Sequence, residues 1–346
     1  MNILELYSGI GGMHMAFTES GLIGEVKAAI EINNVANSIY KYNFPDTTLL
    51  NLNIEGLSEN IVNKFNVNTV LMSPPCQPFT RNGNRNDVKD SRTDSFRHFL
   101  SLLPKLSKIE NILIENVKGF EVSEMRSILV NVLEECDFIY QEFILSPSQF
   151  GIPNCRHRYY CLAKRKPNNF KFNRTSSLME ALPLPSSLSK EPTNIEIKDI
   201  LEDELDFETY KLSDSILLKR INILDICYLD SKMTCCFTKA YGRYIEGTGS
   251  VFTSINRIDV KNKLAQLKEL HNEDEYLDLA RSLKLRFFTP KEISRLMQFP
   301  EKFSFPSDIS NKQKYMVLGN SINVKVVSYL IKLLETYMFN LFSQNL

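Results

Sequence analysis

No apolar run in the chain reaches the ~18 to 20 residues that a membrane-spanning helix needs, and the amino terminus carries no basic segment leading into an apolar one. The sequence offers neither a span nor a secretory leader, so a cytoplasmic location, shared with the nucleus, is expected. Histidine is scarce: His14, His98, His157 and His271 are the only four, and none is paired at ligand spacing. The seven cysteines, at 76, 136, 155, 161, 227, 235 and 236, are odd in number, scattered and without a Cys-x-x-Cys. That pattern argues against a disulfide framework and indicates no metal site; reduced thiols are expected. Net charge is lacking too, with 41 basic against 41 acidic residues, which argues against coating nucleic acid by bulk electrostatics.

What is present suits an ordinary soluble globular protein, 346 residues long with 43% hydrophobic and 24% charged residues. Apolar strands and amphipathic helices alternate from Ile3–Leu6 through Val26–Ile30, Leu50 and Thr69–Met72 to Asn111–Ile114, Phe138–Leu145 and Arg158–Ala163. Helices are expected through Ser20, at Val35–Tyr42, Leu57–Phe65, Ser95–Leu106 and Glu121–Glu135. The pattern predicts an α/β fold, a parallel sheet with helices on both faces. After Ala163 the alternation stops. Residues 1–164 and 286–346 then form one domain around an inserted smaller one at 165–285, and a helix at Pro290–Met297 and a long apolar helix at Asn323–Phe342 close the chain.

Three turns carry chemistry. Ser73-Pro74-Pro75-Cys76-Gln77-Pro78-Phe79-Thr80 follows an apolar strand, and its adjacent prolines have fixed φ and no N–H, so they present Cys76 in one pose at the sheet's carboxyl edge. A rigid thiol there suits a covalent nucleophile. Ser8-Gly9-Ile10-Gly11-Gly12 lets backbone approach a ligand at a helix start, and Glu31 lies 20 residues past Gly11, the spacing of an acid on a ribose diol. The third glycine of a dinucleotide fingerprint is filled by Ala16 or Met15, which points away from NAD and toward S-adenosylmethionine. Glu115, after its strand, reads either as a general acid or as a helix cap, and Arg156 with Arg158 either as two forks on one face or as a chance surface pair. The basic run Arg156–Arg174 and the acidic run Glu191–Glu208 are each a solvated face or, for the bases, a polyanion contact.

In this order the segments resemble the cytosine C5-methyltransferase family. Glu5–Gly12 resembles its cofactor loop, Ser73–Phe79 its nucleophile loop and Glu115-Asn116-Val117 its acid. Gln149–Arg158 resembles its arginine motif, and Phe288–Glu292 with Arg295–Pro300, and Gly319-Asn320-Ser321, its closing motifs. Cys236-Phe237-Thr238 with Tyr241-Gly242 and Tyr244–Ser250 is similar to the tRNA aspartate methyltransferase branch, the DNA methyltransferase homologue 2 type. Asn53 stands where many members have an aspartate, Glu31 where an aspartate is frequent and Cys155 where this branch often has serine.

The resemblance implies a Rossmann-like methyltransferase sheet with an inserted target-recognition domain. It also implies C5-methylation of an anticodon-loop cytosine of tRNA(Asp), with S-adenosylmethionine as donor and S-adenosylhomocysteine as product. Cys76 would add to cytosine C6, Glu115 would serve N3 and Arg158 hold O2, with Arg156 supporting the loop. Cofactor contacts are implied for Tyr7, Ser8, Gly9, Ile10, Gly11, Gly12, Met13, Glu31, Ile32, Asn53, Ile54, Glu55, Ser73, Pro75, Asn320, Ser321 and Val324. Substrate contacts are implied for Gln77, Thr80, Arg81, Cys236, Phe237 and Thr238. No metal is implied; tRNA is the expected partner of a monomer that binds DNA weakly, and the loop Arg81–Arg97 is expected to close over the substrate. Two alternatives share these residues: a DNA cytosine methyltransferase, and a nucleic-acid-binding homologue without activity.

Overall fold

The computed structural model describes residues 1–75, 93–183 and 194–335. Seven strands make the main sheet: β1 (Asn2–Leu6), β2 (Glu25–Glu31), β3 (Thr48–Asn51), β4 (Thr69–Met72), β5 (Asn111–Val117), β6 (Phe138–Leu145) and β7 (Arg158–Arg165). The helices α1 (Gly12–Ser20), α2 (Asn34–Asn43), α3 (Glu59–Lys64), α4 (Asp94–Leu102) and α5 (Glu124–Glu135) connect them. Strand order is β3-β2-β1-β4-β5-β7-β6. The chain winds outward from β1 in one direction and from β4 in the other, so a crevice opens at the carboxyl ends of β1 and β4, where open α/β sheets take ligands.

The sheet is not wholly parallel. β7 runs antiparallel between β5 and β6, joined to β6 by a hairpin-like return rather than a helix crossover. This reversal aims the amino-terminal end of β7, with Arg158, at the same edge as the carboxyl ends of β4 and β5. β5 also runs three residues beyond its expected end, which sets Glu115 inside the strand and rules out the helix-cap reading. Ser58 and Ser123, accepting from Ile61 and Arg126 N–H, start α3 and α5 later than apolar pattern alone suggests.

The region beyond β7 divides between two cores. Residues up to Ile200 pack on the main sheet: Met179 exchanges backbone hydrogen bonds with Glu142 and Ile144, and Phe170, Ile197 and Ile200 join the core that holds α1. A separate cluster runs from Leu212 to Leu285. After the short α6 (Phe207–Tyr210), this cluster draws on α7 (Asp214–Arg220), α8 (Arg257–Leu267), α9 (Glu273–Arg281) and one face of the small sheet β8 (Ile226–Cys227), β9 (Val251–Phe252) and β10 (Arg286–Phe287), while Cys227, Phe237, Tyr241 and Phe252 join the main core. Helices α10 (Pro290–Leu296), α11 (Asn311–Asn320) and α12 (Val324–Leu333) return to the main core, α12 lying along α1. The expected continuation of α12 to Phe342 lies outside the described residues. Among those described, no helix is long and apolar enough to cross a membrane.

Parts of the two charge runs are structural, while Asp199, Asp203, Glu204, Asp206 and Glu208 of the acidic run are exposed, as a solvated face requires. Arg165 donates to the carbonyls of Leu106, Ile109 and Cys136, and the fully buried Lys164 donates to those of Leu334 and Glu335, so both close helix ends rather than face a polyanion. In the acidic run, Glu202 accepts from the Thr289 hydroxyl while its N–H donates to Glu292. The buried pair Arg286–Glu292, at 2.7 Å, ties the small sheet to α10.

A buried polar network supports the glycine turn. Glu5, on β1, accepts from the Tyr40 hydroxyl at 3.0 Å and from the His14 N–H at 3.2 Å. His14 Nδ1 lies 2.8 Å from the same hydroxyl, and its ring stacks on Phe44 at 3.9 Å. Phe44 in turn presses on Gly11, where a Cβ would come within 2.3 Å of Phe44 Cε2. Burial lifts the Glu5 carboxyl to about 8 and drives the His14 imidazole down to about 4. Glu5 therefore contributes stability that is complete below its ordinary 4.5 and is lost as pH rises toward 8; His14 contributes stability complete above its ordinary 6.5 and lost as pH falls toward 4. Between pH 6.5 and 8 only Glu5 of the two titrates, so thermal midpoints of wild type should fall across that window relative to Glu5→Gln, and parallel curves would show that Glu5 is already ionised.

Candidate active site

A cavity of about 330 Å³ fills the crevice. Its first wall is the strained turn after β1. Tyr7, Gly9 and Gly11 all have positive φ, costly for the non-glycine Tyr7, whose hydroxyl is held by Ser95 Oγ at 3.1 Å. Glu31 closes the second wall. One carboxylate oxygen accepts from Gly9 N–H and the other from Ile32 and Asn33 N–H, all at 2.9 Å, so the acid fixes the turn and keeps one acceptor site while lining the cavity.

Most expected cofactor contacts line this space: Tyr7, Ser8, Gly9, Ile10, Gly12, Met13, Glu31, Ile32, Asn53, Ile54, Ser73, Pro75, Asn320 and Ser321. Three do not. Gly11 serves as the left-handed N-cap of α1 beneath Phe44, Glu55 points away in an exposed one-turn helix, and Val324 is packed in the core at the start of α12. Sequence reasoning missed Asn33, Ala36, Leu52, Ser95, Val317 and Ile322, which also line it. Asn33 had a visible signal, since an Asn before an apolar helix caps it, whereas the others depend on how distant segments meet.

At the far side stands the acid–arginine pair. Glu115, 8% exposed, lies 3.3 Å from Arg158 Nε. Burial raises its carboxyl above the ordinary value, with Arg158, Arg156 and the Ser73 hydroxyl opposing. The neighbouring Asn116 donates to the Pro74 carbonyl at 3.4 Å and so clamps the proline turn. Cys76, Gln77, Thr80, Arg81 and the loop through residue 92 lie outside the described residues.

Arg156 and Arg158 both line the cavity, but the Arg156 side chain is the more deeply buried. Its guanidinium, in a residue 3% exposed, donates to the carbonyls of Phe237 (3.2 Å), Gly319 (3.3 Å) and Ser321. Cys236 Sγ sits between the two arginines, 3.4 Å from Arg156 Nη1 and 3.7 Å from Arg158 Nη2. Burial alone would push that thiol up, yet the two guanidiniums bring it below the ordinary thiol value. Phe237 is no substrate contact. It is buried edge-on against Tyr241 and Phe288, because the turn that offers its carbonyl to Arg156 directs its ring into the core.

Thr238 instead lines a second, larger groove of about 1130 Å³ that adjoins the cavity, with Val117, Arg158, Gly319 and Asn320 common to both. Among the described residues no His, Cys, Asp and Glu group could hold a metal ion.

Residues 1–336 match the family described as C-5 cytosine-specific DNA methylase. A tRNA (cytosine(38)-C(5))-methyltransferase from Spodoptera frugiperda is 50% identical over 334 residues, covering 96% of this chain and 98% of that protein. A DNA (cytosine-5)-methyltransferase from Dictyostelium discoideum is 39% identical over 372 residues, covering 96% and 94%. In three dimensions, a crystal structure of a DNMT2 triple mutant from S. frugiperda superimposes with a TM-score of 0.88 at 48% identity, covering 96% of this chain and 99% of that one.

Arg156 holds three carbonyls that have no other route to a cationic donor, so Arg156→Ala should cost on the order of 3 kcal/mol of stability. Arg156→Lys, a point charge without the fork, should recover only part of it. Urea midpoints of the three proteins measure this, and an Ala variant as stable as wild type would refute the bridging role.

Proposed function

The chain belongs to the C-5 cytosine-specific DNA methylase family, and on that premise we propose that it methylates carbon 5 of a tRNA cytosine, position 38 in the anticodon loop of tRNA(Asp), using S-adenosylmethionine. The observation that carries the reading is the buried Glu115–Arg158 pair, set beside the proline turn that leads to Cys76, in a chain so like a tRNA methyltransferase along its whole length.

The cavity suits this cofactor. Glu31 offers its remaining acceptor site to a ribose hydroxyl, and Ile54 with Ile32, left 62% exposed, offers apolar surface to a purine. Ser8 Oγ is buried without a partner, as expected of a hydroxyl that a polar ligand satisfies. When bound, S-adenosylmethionine supplies an electrophilic methyl group on a sulfonium.

Carbon 5 of cytosine is too poor a nucleophile to take that methyl unaided. The Cys76 thiolate adds to C6, which turns the ring into an enamine nucleophilic at C5. Glu115, whose carboxyl burial raises toward the protonated form, serves N3 as electron density shifts there, and Arg158 holds O2. Once C5 carries the methyl group, transfer of its proton to a base breaks the C6–S bond, releases Cys76 as the thiolate and restores aromaticity. Asn116 keeps the proline turn in place through these steps. The ring must leave its stack, which costs a few kcal/mol and less in a loop than in a duplex, so an anticodon loop is a favourable substrate.

Labelled cofactor incubated with separate tRNA and DNA pools tests the substrate: uptake is expected in tRNA, and uptake confined to DNA would overturn the tRNA reading. With single tRNA transcripts, tRNA(Asp) is expected to take the label. Cys76→Ala should abolish transfer while retaining cofactor affinity. Glu115→Gln should slow turnover roughly 10²-fold or more with RNA affinity intact, and equal losses in both would make Glu115 a structural residue.

A further inference from the structure

Two tyrosines of the small-domain turn have opposite surroundings. Tyr241 is buried; its hydroxyl donates to the Ser250 carbonyl at 2.6 Å and accepts from Phe288 N–H at 2.9 Å, so it is consumed by the fold. Tyr244, three residues on, is 59% exposed and lines the groove beside the cavity. Its backbone is fixed at both ends, the N–H on Ala240 O at 3.0 Å and the carbonyl on Thr248 Oγ1 at 2.6 Å. Arg243 lies over the ring at 4.7 Å from the centroid. A large apolar ring on a rigid turn, backed by a guanidinium and left facing an open groove, has no folding function to explain its exposure.

The groove around it is cationic. Lys219 and Arg220, in the last turn of α7, and Lys239 and Arg243 line it with Arg158, against the single carboxylate Glu246. Among the described residues none of Lys219, Arg220, Lys239 or Arg243 forms an ion pair, although the molecule as a whole has no net charge. Free cations lining a channel and an aromatic face within it are the two components of single-stranded nucleic-acid recognition, in which phosphates follow the charge and bases stack on the rings. A duplex keeps its bases stacked on one another and has no face to offer Tyr244.

We infer that Tyr244 is a stacking platform for an unpaired nucleotide flanking the target cytosine, with Lys219, Arg220 and Lys239 holding the phosphates of that strand, so that the groove selects a looped RNA over a duplex. This rests on the tRNA reading above and adds the residue that positions the loop. Gly319, common to cavity and groove, sets the two sites side by side.

The test uses the full chain and an anticodon stem-loop RNA carrying 2-aminopurine at each unpaired position flanking the target in turn. Tyr244→Ala should raise KM roughly ten-fold or more with kcat nearly unchanged, and Tyr244→Phe should restore it. Quenching of one 2-aminopurine on binding should appear with wild type and Tyr244→Phe and vanish with Tyr244→Ala. Lys219→Gln with Arg220→Gln should instead flatten the salt dependence of affinity, which Tyr244→Ala leaves alone. Calorimetric binding of S-adenosylhomocysteine should be unchanged in every variant, as the fold control. A Tyr244→Ala protein with wild-type KM and quenching, or equal wild-type affinity for a fully paired duplex, would overturn the platform. Wild-type turnover of the stem-loop tests the proposed function by itself, and only the variant-to-wild-type ratio tests Tyr244, so the two fail separately.

Discussion

The guanidinium of Arg156 is the constraint on which the rest of the site depends. It leaves the segment ahead of β7 and gathers carbonyls from residue 237, from residue 319 near the end of α11 and from residue 321 between α11 and α12, parts of the chain more than eighty residues further on. A planar, permanently charged fork is the one side chain able to bridge so many fixed acceptors. Removing it would leave the carbonyls buried without partners, and Arg158, two residues on, would lose the frame that aims it at Glu115. Catalytic geometry here follows from a structural hydrogen-bond hub.

Charge is sorted rather than absent. A neutral chain places its carboxylates where they accept from backbone, as Glu31 and Glu292 do, and spends Lys164 and Arg165 on helix ends. Four cations with no ion pair among the described residues, Lys219, Arg220, Lys239 and Arg243, line one groove. Burial then tunes what remains: the Glu115 carboxyl is raised above its ordinary value in spite of two arginines, while the Cys236 thiol between the same arginines is brought below its own. One pair of cations thus acts in opposite senses on two neighbours, because desolvation prevails at the carboxyl and charge prevails at the thiol.

Much of this was legible in the residues themselves. The central strands of the main sheet, β1, β4 and β5, are buried on both faces and read as apolar runs, and the glycine turn, Glu31, the proline turn and Arg158 each announce themselves by residue type and spacing. The reversal of β7 was not legible, since an antiparallel strand has the same composition as a parallel one. The basic run misled because the acceptors of Lys164 and Arg165 are carbonyls of helices far off in sequence. Phe237 misled for a related reason: it lies within a motif but its ring faces inward. The groove was missed because its cations sit in two short stretches, at 219–220 and 239–243, joined by irregular backbone without a period.

Gly319 shows what such closeness entails. A Cβ there would lie 2.2 Å from Lys239 N and from the carbonyl carbon of Thr238, so two peptide planes from different domains press directly on each other. The step from cavity to groove is therefore set by main chain and carries no side chain that a substitution could lengthen or shorten. On the proposed function and the stacking role inferred for Tyr244, this makes the protein a fixed gauge: the span between the flipped cytosine and its stacked neighbour is built into the fold, and any adjustment to a loop of different shape falls to the RNA.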